Sequence, residues 1–296
     1  MDEREHVSSL PPVSSVPDLR PFAENGLGVA AFEGDAMIGF LCCVSPFKNA
    51  FRSTKATGVF SPMGAHGAAG DRGSIYARMY REAGEKWARA GASSHAICLY
   101  AHDKEARRQL FQYGFGARCV DAIRGMDDIK VSPCPGFEFY ELAPDEFSKL
   151  LPLNHSLDAH MAASPIFILR PSHTEESFVE DAIKSHSMFF VAAYGDRIVA
   201  FIRAARGGET FVRDAQGYAH VDGAFCAPEH RGKGLPQTLL NTLIQKLRDQ
   251  GYTRLGVDFE SLNPAAYGFW LKYFAAYTHS VVRRIDENAV YRACSN

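Results

Sequence analysis

The stretch A-P-E-H-R-G-K-G-L-P-Q-T-L-L, residues 227–240, decides how this chain folds. Ahead of its opening Ala-Pro, Y-A-H-V-D-G-A-F-C (218–226) reads as an apolar strand. Beyond it, Leu240, Leu243, Ile244 and Leu247 recur at i, i+3, i+4 and i+7, one face of a helix. A strand therefore runs through a glycine-rich, basic loop straight into an amphipathic helix. Backbone N–H groups at a helix N-terminus, approached through glycines, make an anion site. Arg231 and Lys233 add positive charge, Pro236 suits the first helical turn, and Thr238 offers a hydroxyl. A plain solvated turn is the weaker reading, because strand, Gly-x-Gly, basic residues and helix start coincide. The spacing is not G-x-x-x-x-G-K-[ST], and G-x-G-x-x-G with its ribose carboxylate is missing, which excludes Walker and Rossmann loops.

Downstream, R-L-G-V-D-F (254–259) is a strand, N-P-A-A-Y-G-F-W-L-K-Y-F (263–274) a helix and T-H-S-V-V-R-R-I (278–285) a closing strand. Upstream, residues 187–205 form two apolar runs around Gly195-Asp196, a hairpin. F-E-F-Y-E-L (137–142) is a strand, and D-E-F-S-K-L-L (145–151) starts a helix with an acidic cap. The pattern then repeats. A-F-E-G-D-A-M-I-G-F (31–40) matches A-A-Y-G-D-R-I-V-A-F (192–201), and G-V-F-S-P (58–62) matches G-A-F-C-A-P (223–228). Gly34 and Gly195 lie 161 residues apart, Gly58 and Gly223 165, Gly91 and Gly251 160, Arg124 and Arg283 159. A domain-sized, nearly constant offset marks a duplicated domain. The hinge falls at V-S-P-C-P-G (131–136), and residues 1–27 hold room only for a short helix near 18–24.

Composition bounds the function. A chain of 296 residues, 46% hydrophobic and 22% charged, has a real core, and a net charge of −2 argues against a general nucleic-acid binder. No apolar run nears the roughly 18 residues of a membrane helix, and the N-terminus lacks a signal-peptide pattern, so no membrane partner is expected. The 7 scattered cysteines form no C-x-x-C pair, which points to reduced thiols, a cytoplasmic location and no metal.

The 227–240 turn resembles the GNAT superfamily of acyl-CoA-dependent N-acyltransferases. The family's [RQ]-x-x-G-x-[GA] stands here as Arg231-Gly232-Lys233-Gly234-Leu235-Pro236, after Pro228-Glu229, with Pro236 replacing the final small residue. Its N-x-x-A-x-x-[LF]-[YW]-x-K matches Asn263, Ala266, Phe269, Trp270 and Lys272. The resemblance implies that acetyl-CoA is bound by the strand amides at Phe225, Cys226 and Ala227, by residues 231–236 and Thr238, and by Asn263, Phe269 and Trp270. Trp270 stands where the family often has an acidic Tyr, and Trp cannot protonate a thiolate. The first copy keeps Gly114-Phe115 but reads S-P-M-G-A-H-G-A-A-G-D-R-G-S (61–74) at the turn, with Asp103 in place of the Asn.

Acyl transfer to an amine needs a base, an oxyanion donor and a leaving thiolate. Base candidates are Asp222, Glu260 and His220, each otherwise a solvated strand-end group; alternation puts Asp222 and His220 on one face, Val221 and Gly223 on the other. Tyr267 and Tyr273 are acid candidates that core packing would also explain. His155, Asp158 and His160 echo a metal cluster without a further partner, and Arg170 could meet an acidic acceptor or be a loop charge.

The expectation is an α/β chain of two tandem GNAT-like domains, each a mixed central β-sheet flanked by helices. Residues 1–132 would be a degenerate copy that packs structurally and walls the acceptor cleft. Its core would hold Trp87, Ile97, Leu99, Leu110, Phe111 and Phe115. Residues 136–296 would hold the acyl-CoA site of an acetyltransferase acting on a small-molecule or peptide amine, with a homodimer left open. The competing class is a non-catalytic acyl-CoA-binding or regulatory protein, favoured by Trp270 and Pro236.

Overall fold

The computed structural model describes residues 3–13, 18–52, 54–208 and 210–295. In chain order these form α1 (Arg20–Ala23), β1 (Val29–Glu33), β2 (Ala36–Leu41), β3 (Gly58–Ser61), β4 (His66–Ala68), α2 (Arg72–Arg89), β5 (Ser94–Tyr100), α3 (Lys104–Gln112) and β6 (Gly116–Gly125). The order then repeats with β7 (Glu138–Glu141), α4 (Leu151–Ala162), α5 (Glu175–Lys184), β8 (Met188–Tyr194), β9 (Arg197–Ala205) and β10 (Tyr218–Cys226). It closes with α6 (Leu235–Asp249), β11 (Arg254–Glu260), α7 (Pro264–Tyr273), β12 (Ala275–Arg284) and α8 (Glu287–Ser295). The fold is mixed α/β, a GNAT-like order of elements run twice.

Two compact units result, and they do not follow the boundary expected at 131–136. Unit 1 comprises Met1–His6, Pro12–Val120 and Ala276–Asn296; unit 2 comprises Val7–Pro11 and Asp121–Ala275. The closing strand of the second repeat thus belongs with the first. In unit 1, β12 runs antiparallel to β5, from Thr278↔Tyr100 to Arg284↔Ser94, and β3 lies parallel on the other side of β5. A separate small sheet has the order β1-β2-β4. The core gathers Tyr76, Met79, Tyr80, Ala83 and Trp87 from one face of α2 with Ile97, Leu99, Leu110, Phe115 and, from β12, Val281. Phe111 departs from expectation and is 47% exposed, because α3 turns Ala106 and Leu110 inward instead.

Unit 1 also holds neutral imidazoles, His95 buried and His66 and His279 half-buried. His66 bonds Tyr76 Oη (2.6 Å) and the Cys98 carbonyl (2.7 Å), and His95 bonds Tyr80 Oη (2.9 Å) and the Ala92 carbonyl (3.0 Å). Burial pushes both down to about 4, and His279 likewise. Unfolded imidazoles titrate near 6.5, so between about 6.5 and about 4 the unfolded chain takes up protons that the folded unit does not. Stability that is full above this window is lost as pH falls through it. Melting temperatures should therefore drop between pH 7 and pH 5; equal values at the two would count against this.

Unit 2 has the strand order β11-β10-β9-β8-β7, with the Asp121–Gly125 end of β6 beside β11. Leu235, Leu239, Leu240, Leu243, Ile244 and Leu247 bury the expected stripe of α6, and β8–β9 turn through Gly195 at φ 58°. The acidic cap expected at 145–151 is absent. The chain enters a 3-10 turn at Pro144–Leu150 behind Ala143, without a side-chain cap, and α4 follows. Phe147, Leu150, Phe178, Phe189, Val191, Phe201 and Phe225 form the core on the α4–α5 side.

Candidate functional site

Two features of β10 make the site. The parallel pairing with β11 ends at Val221↔Val257, while the antiparallel pairing with β9 continues to Cys226↔Ala200 and on to Ala227 N–H, which donates to the Val199 carbonyl at 2.9 Å. The strands β10 and β11 therefore part after Val221 and Val257. Antiparallel alternation makes Ala227 and Phe225 the hydrogen-bonded positions, so the Cys226 N–H and carbonyl point away from β9, toward the side β11 has left. A register shift between Val221 and Gly223 makes Asp222 a bulge residue. It corrects the simple alternation: Gly223 and Phe225 oppose Arg203 and Phe201, on the face of His220.

Behind the strand, Gly232 (φ 76°) and Gly234 (φ 84°) adopt the left-handed conformation that favours glycine. Gly234 is the N-cap of α6, with no side-chain cap, so the first-turn amides of Leu235 and Gln237 face outward; Pro236 has none. Nothing lies within 4 Å of a Cβ built at Gly232, which leaves room for a bulky anion. These features fit the diphosphate of an acyl-CoA. Lys233 is exposed, its Nζ 5.8 Å from the Phe137 ring. Arg231, though exposed, reaches back to the strand: Nε donates to the Cys226 carbonyl at 3.1 Å, and the guanidinium lies 5.7 Å from the Phe225 ring. It braces the end of β10. Thr238 Oγ1 donates to the Gly234 carbonyl (3.2 Å), which commits its proton. Burial pushes the Cys226 thiol up to about 11. A cavity of about 510 Å³ adjoins the turn, lined by Lys149, Leu153, Arg197, Phe225, Ala227 and Glu229 among others.

The corresponding turn of the first copy is filled by its own side chains. Asp71 caps α2, accepting from Ser74 N–H at 3.1 Å, so a carboxylate already sits on that helix N-terminus. Arg72 pairs with the buried Asp103 and donates to the Ala68 carbonyl. Asp103 and Asn263 hold matching positions, capping α3 and α7 through the Ala106 and Ala266 amides, each at 3.2 Å.

Other expected residues are placed less directly. Asn263 is buried and its Oδ1 is spent on that cap, while Nδ2 lies 3.9 Å from Met161 Sδ. Phe269 and Trp270 stack edge-to-face at 4.8 Å, and Trp270 packs on Phe274, so both serve the packing of α7. Tyr267 is exposed against Phe259, on the face of β11 opposite Asp258 and Glu260; Tyr273 packs on Phe269. Leu235 is fully buried and can offer only backbone. His155 bonds the His173 carbonyl, Asp158 the Asn154 amide, and His160 lies by the Phe225 ring; among the described residues no cluster of three metal-ligating side chains exists. Arg170 is exposed on the loop after α4.

The residue that sequence reasoning missed is Asp258. His220 Nε2 bonds Asp258 Oδ1 at 2.6 Å, and His220 Nδ1 bonds Tyr218 Oη at 2.8 Å. Asp222 lies 3.4 Å from Arg203 Nε, and Arg203 is anchored on Asp181, Ser185 and Ser187. Desolvation raises the Asp222 carboxyl above its ordinary range against the opposing charges of Arg203 and His220. Burial alone would depress His220, but the hydrogen bond and charge of Asp258, with Asp121 and Asp222, hold it above the ordinary imidazole value. The sequence signal was there: Val221-Asp222 and Val257-Asp258 each put a carboxylate after an apolar strand run.

Residues 154–275 match the Acetyltransferase (GNAT) family. No curated protein matches the chain. Among solved structures, a GCN5-related N-acetyltransferase from Sphaerobacter thermophilus is 11% identical, with 85% of this chain and 78% of that one covered at a TM-score of 0.55. That likeness shows the fold. A GNAT-family acetyltransferase from Colwellia psychrerythraea (11% identity, 88% and 85% covered, TM-score 0.49) and a tandem GNAT protein from the clavulanic acid biosynthesis pathway (12%, 87% and 83%, 0.45) are also similar.

Proposed function

We propose that this chain, whose residues 154–275 match the Acetyltransferase (GNAT) family, is a tandem GNAT protein that transfers the acetyl group of acetyl-CoA to an amine of a small-molecule or peptide acceptor. The observation that carries this reading is the uncapped, glycine-flanked N-terminus of α6 at the end of a strand that has parted from its neighbour. Leu235 and Gln237 amides with Lys233 would hold the diphosphate, Arg231 would hold the turn in register, and the Cys226 N–H would face the thioester oxygen as it gains charge. Asp222 and Glu260, carboxylates at the two edges of the opening, would draw the acceptor amine to it. A thiol of ordinary pKa, about 8.5, leaves without a dedicated acid, so Trp270 at the expected Tyr position does not prevent turnover. The reading includes a cytoplasmic setting, supported by the absence of any disulfide among the described cysteines, and no nucleic-acid or membrane partner; no helix of the described residues is long and apolar enough to cross a membrane.

Calorimetry with acetyl-CoA should give one site per chain, since Asp71 and Arg72 occupy the first copy's turn. Arg231→Ala should weaken binding about tenfold or more, because it removes the charge-assisted hydrogen bond to the Cys226 carbonyl, worth about 1.5–3 kcal/mol, that holds the turn in register. Two equivalent sites, or an unchanged Kd in the variant, would refute the assignment. A release assay for free CoA with primary amines separates catalysis from the alternative: tight binding with no turnover would favour a non-catalytic acyl-CoA-binding protein.

A further inference from the structure

We propose that Asp258, held by the buried pair His220–Tyr218, is the group that takes the proton from the acceptor, and that the acceptor is an alkylamine arriving as a cation. This rests on the acyltransferase reading above.

The chain contains a comparison of its own. Three imidazoles, half-buried His66 and buried His95 and His220, each bond a tyrosine hydroxyl: His66 with Tyr76, His95 with Tyr80, His220 with Tyr218. In the first two the other ring nitrogen donates to a backbone carbonyl, which satisfies a neutral imidazole inside a core. In the third it meets a carboxylate. A carbonyl would have sufficed for packing, so the carboxylate at this one position calls for another explanation.

Its location supplies one. His220 is 4% exposed, whereas the Asp258 side chain is 36% accessible and Asp222 33%. Val221↔Val257 is the last pair of the β10–β11 ladder, so Asp222 and Asp258 are the first residues on either side of the opening. The 2.6 Å bond from His220 fixes Asp258 Oδ1 and leaves Oδ2 for a second partner. Tyr218 holds the ring from behind, lying so close over β11 that a Cβ at Gly256 would stand 1.9 Å from its hydroxyl. That hydroxyl accepts from an imidazolium and donates to a neutral ring, so the pair survives either protonation state. The charged groups around His220 are Asp258 from β11, Asp222 from β10 and Asp121 from β6, and Arg203 from β9 answers Asp222. Three carboxylates against one guanidinium and one imidazole favour a cation at the opening.

The transfer balances on these groups. An N–H proton of R–NH₃⁺ passes to Asp258 Oδ2, and the freed nitrogen lone pair attacks the thioester carbon. The C–N bond forms, the C–S electron pair leaves with sulfur, and the surplus nitrogen proton neutralises the thiolate to give the amide and the thiol. Asp258 returns its proton to solvent. Asp258 is the catalytic residue; His220 and Tyr218 are positioning residues.

The full chain tests this with 1,4-diaminobutane and aniline as probe acceptors, calorimetry with acetyl-CoA, and ¹⁵N-imidazole NMR of the unliganded protein. Diaminobutane should be acetylated at least tenfold faster than aniline, which is neutral at pH 7. Asp258→Asn should lower kcat about 100-fold or more with the Kd for acetyl-CoA unchanged. His220→Leu should do nearly the same, and His220→Gln, whose amide can still donate to Asp258, should recover much of the loss. In Asp258→Asn the His220 resonance should titrate lower than in the parent. Turnover by Asp258→Asn at the parental rate, or aniline as the better acceptor, overturns the inference. A parent chain that binds no acetyl-CoA overturns the acyltransferase reading and this inference with it.

Discussion

Residues 136–296 expressed alone are expected to be insoluble and unable to bind acetyl-CoA, although they contain the entire second repeat. Cutting there removes β5, along which β12 makes seven paired positions, and strips unit 2 of Asp121–Gly125 and of Val7–Pro11. The last of these segments takes a hydrogen bond from Arg254 Nε at the Ser9 carbonyl, 2.9 Å. A strand with an open ladder and apolar residues such as Tyr277 and Val281 bared is an aggregation template. Size-exclusion chromatography and calorimetry on the fragment, with and without a co-expressed 1–135 fragment, make the check. A monomeric 136–296 fragment that binds acetyl-CoA as the full chain does would show that the repeat boundary is also the folding boundary.

Arg72→Leu is expected to cost unit 1 about 3–5 kcal/mol, the usual loss when one partner of a buried ion pair is removed. Asp103 is 4% exposed and would lose its ion partner with the guanidinium, while the Ala68 carbonyl would lose a donor. The double variant Arg72→Leu, Asp103→Asn should regain most of the loss, because Asn263 already performs the same cap in the second copy. Urea unfolding of both variants decides the matter; a loss below about 1 kcal/mol in the single variant would mean that water already serves Asp103.

Local signals carried much of the architecture. The Gly195-Asp196 turn between apolar runs, the Leu240–Leu247 stripe and the glycines at 232 and 234 each imposed their structure through near neighbours, and each element stands where the pattern put it. What the pattern could not carry was partnership at a distance. Nothing within T-H-S-V-V-R-R-I distinguishes β5, some 180 residues earlier, from a strand of its own repeat, because an apolar strand is satisfied by any edge of matching length. The bulge at Asp222 escaped because alternation assumes an unbroken ladder, and its consequence was to bring Asp222 toward Arg203. Arg231 was legible as a cation beside an anion site, yet its reach to the Cys226 carbonyl depends on how the 3-10 turn at Pro228–His230 folds back. Asp258 follows an apolar strand run just as Asp222 does, but only the cross-strand neighbour His220 gives it meaning.

The placement of β12 has a consequence for synthesis on the ribosome. Translation is vectorial, and at about 5–20 residues per second the 180 or so residues between β5 and β12 take roughly 10–40 s to emerge. Throughout that interval the β12-facing side of Ser94–Tyr100 is without its native partner, and the nascent first unit lacks Val281 from its core. The N-terminal unit is begun first and finished last. One ladder stays open for most of the time the second unit is being built, and an open, apolar strand edge is the kind of surface on which neighbouring nascent chains can pair.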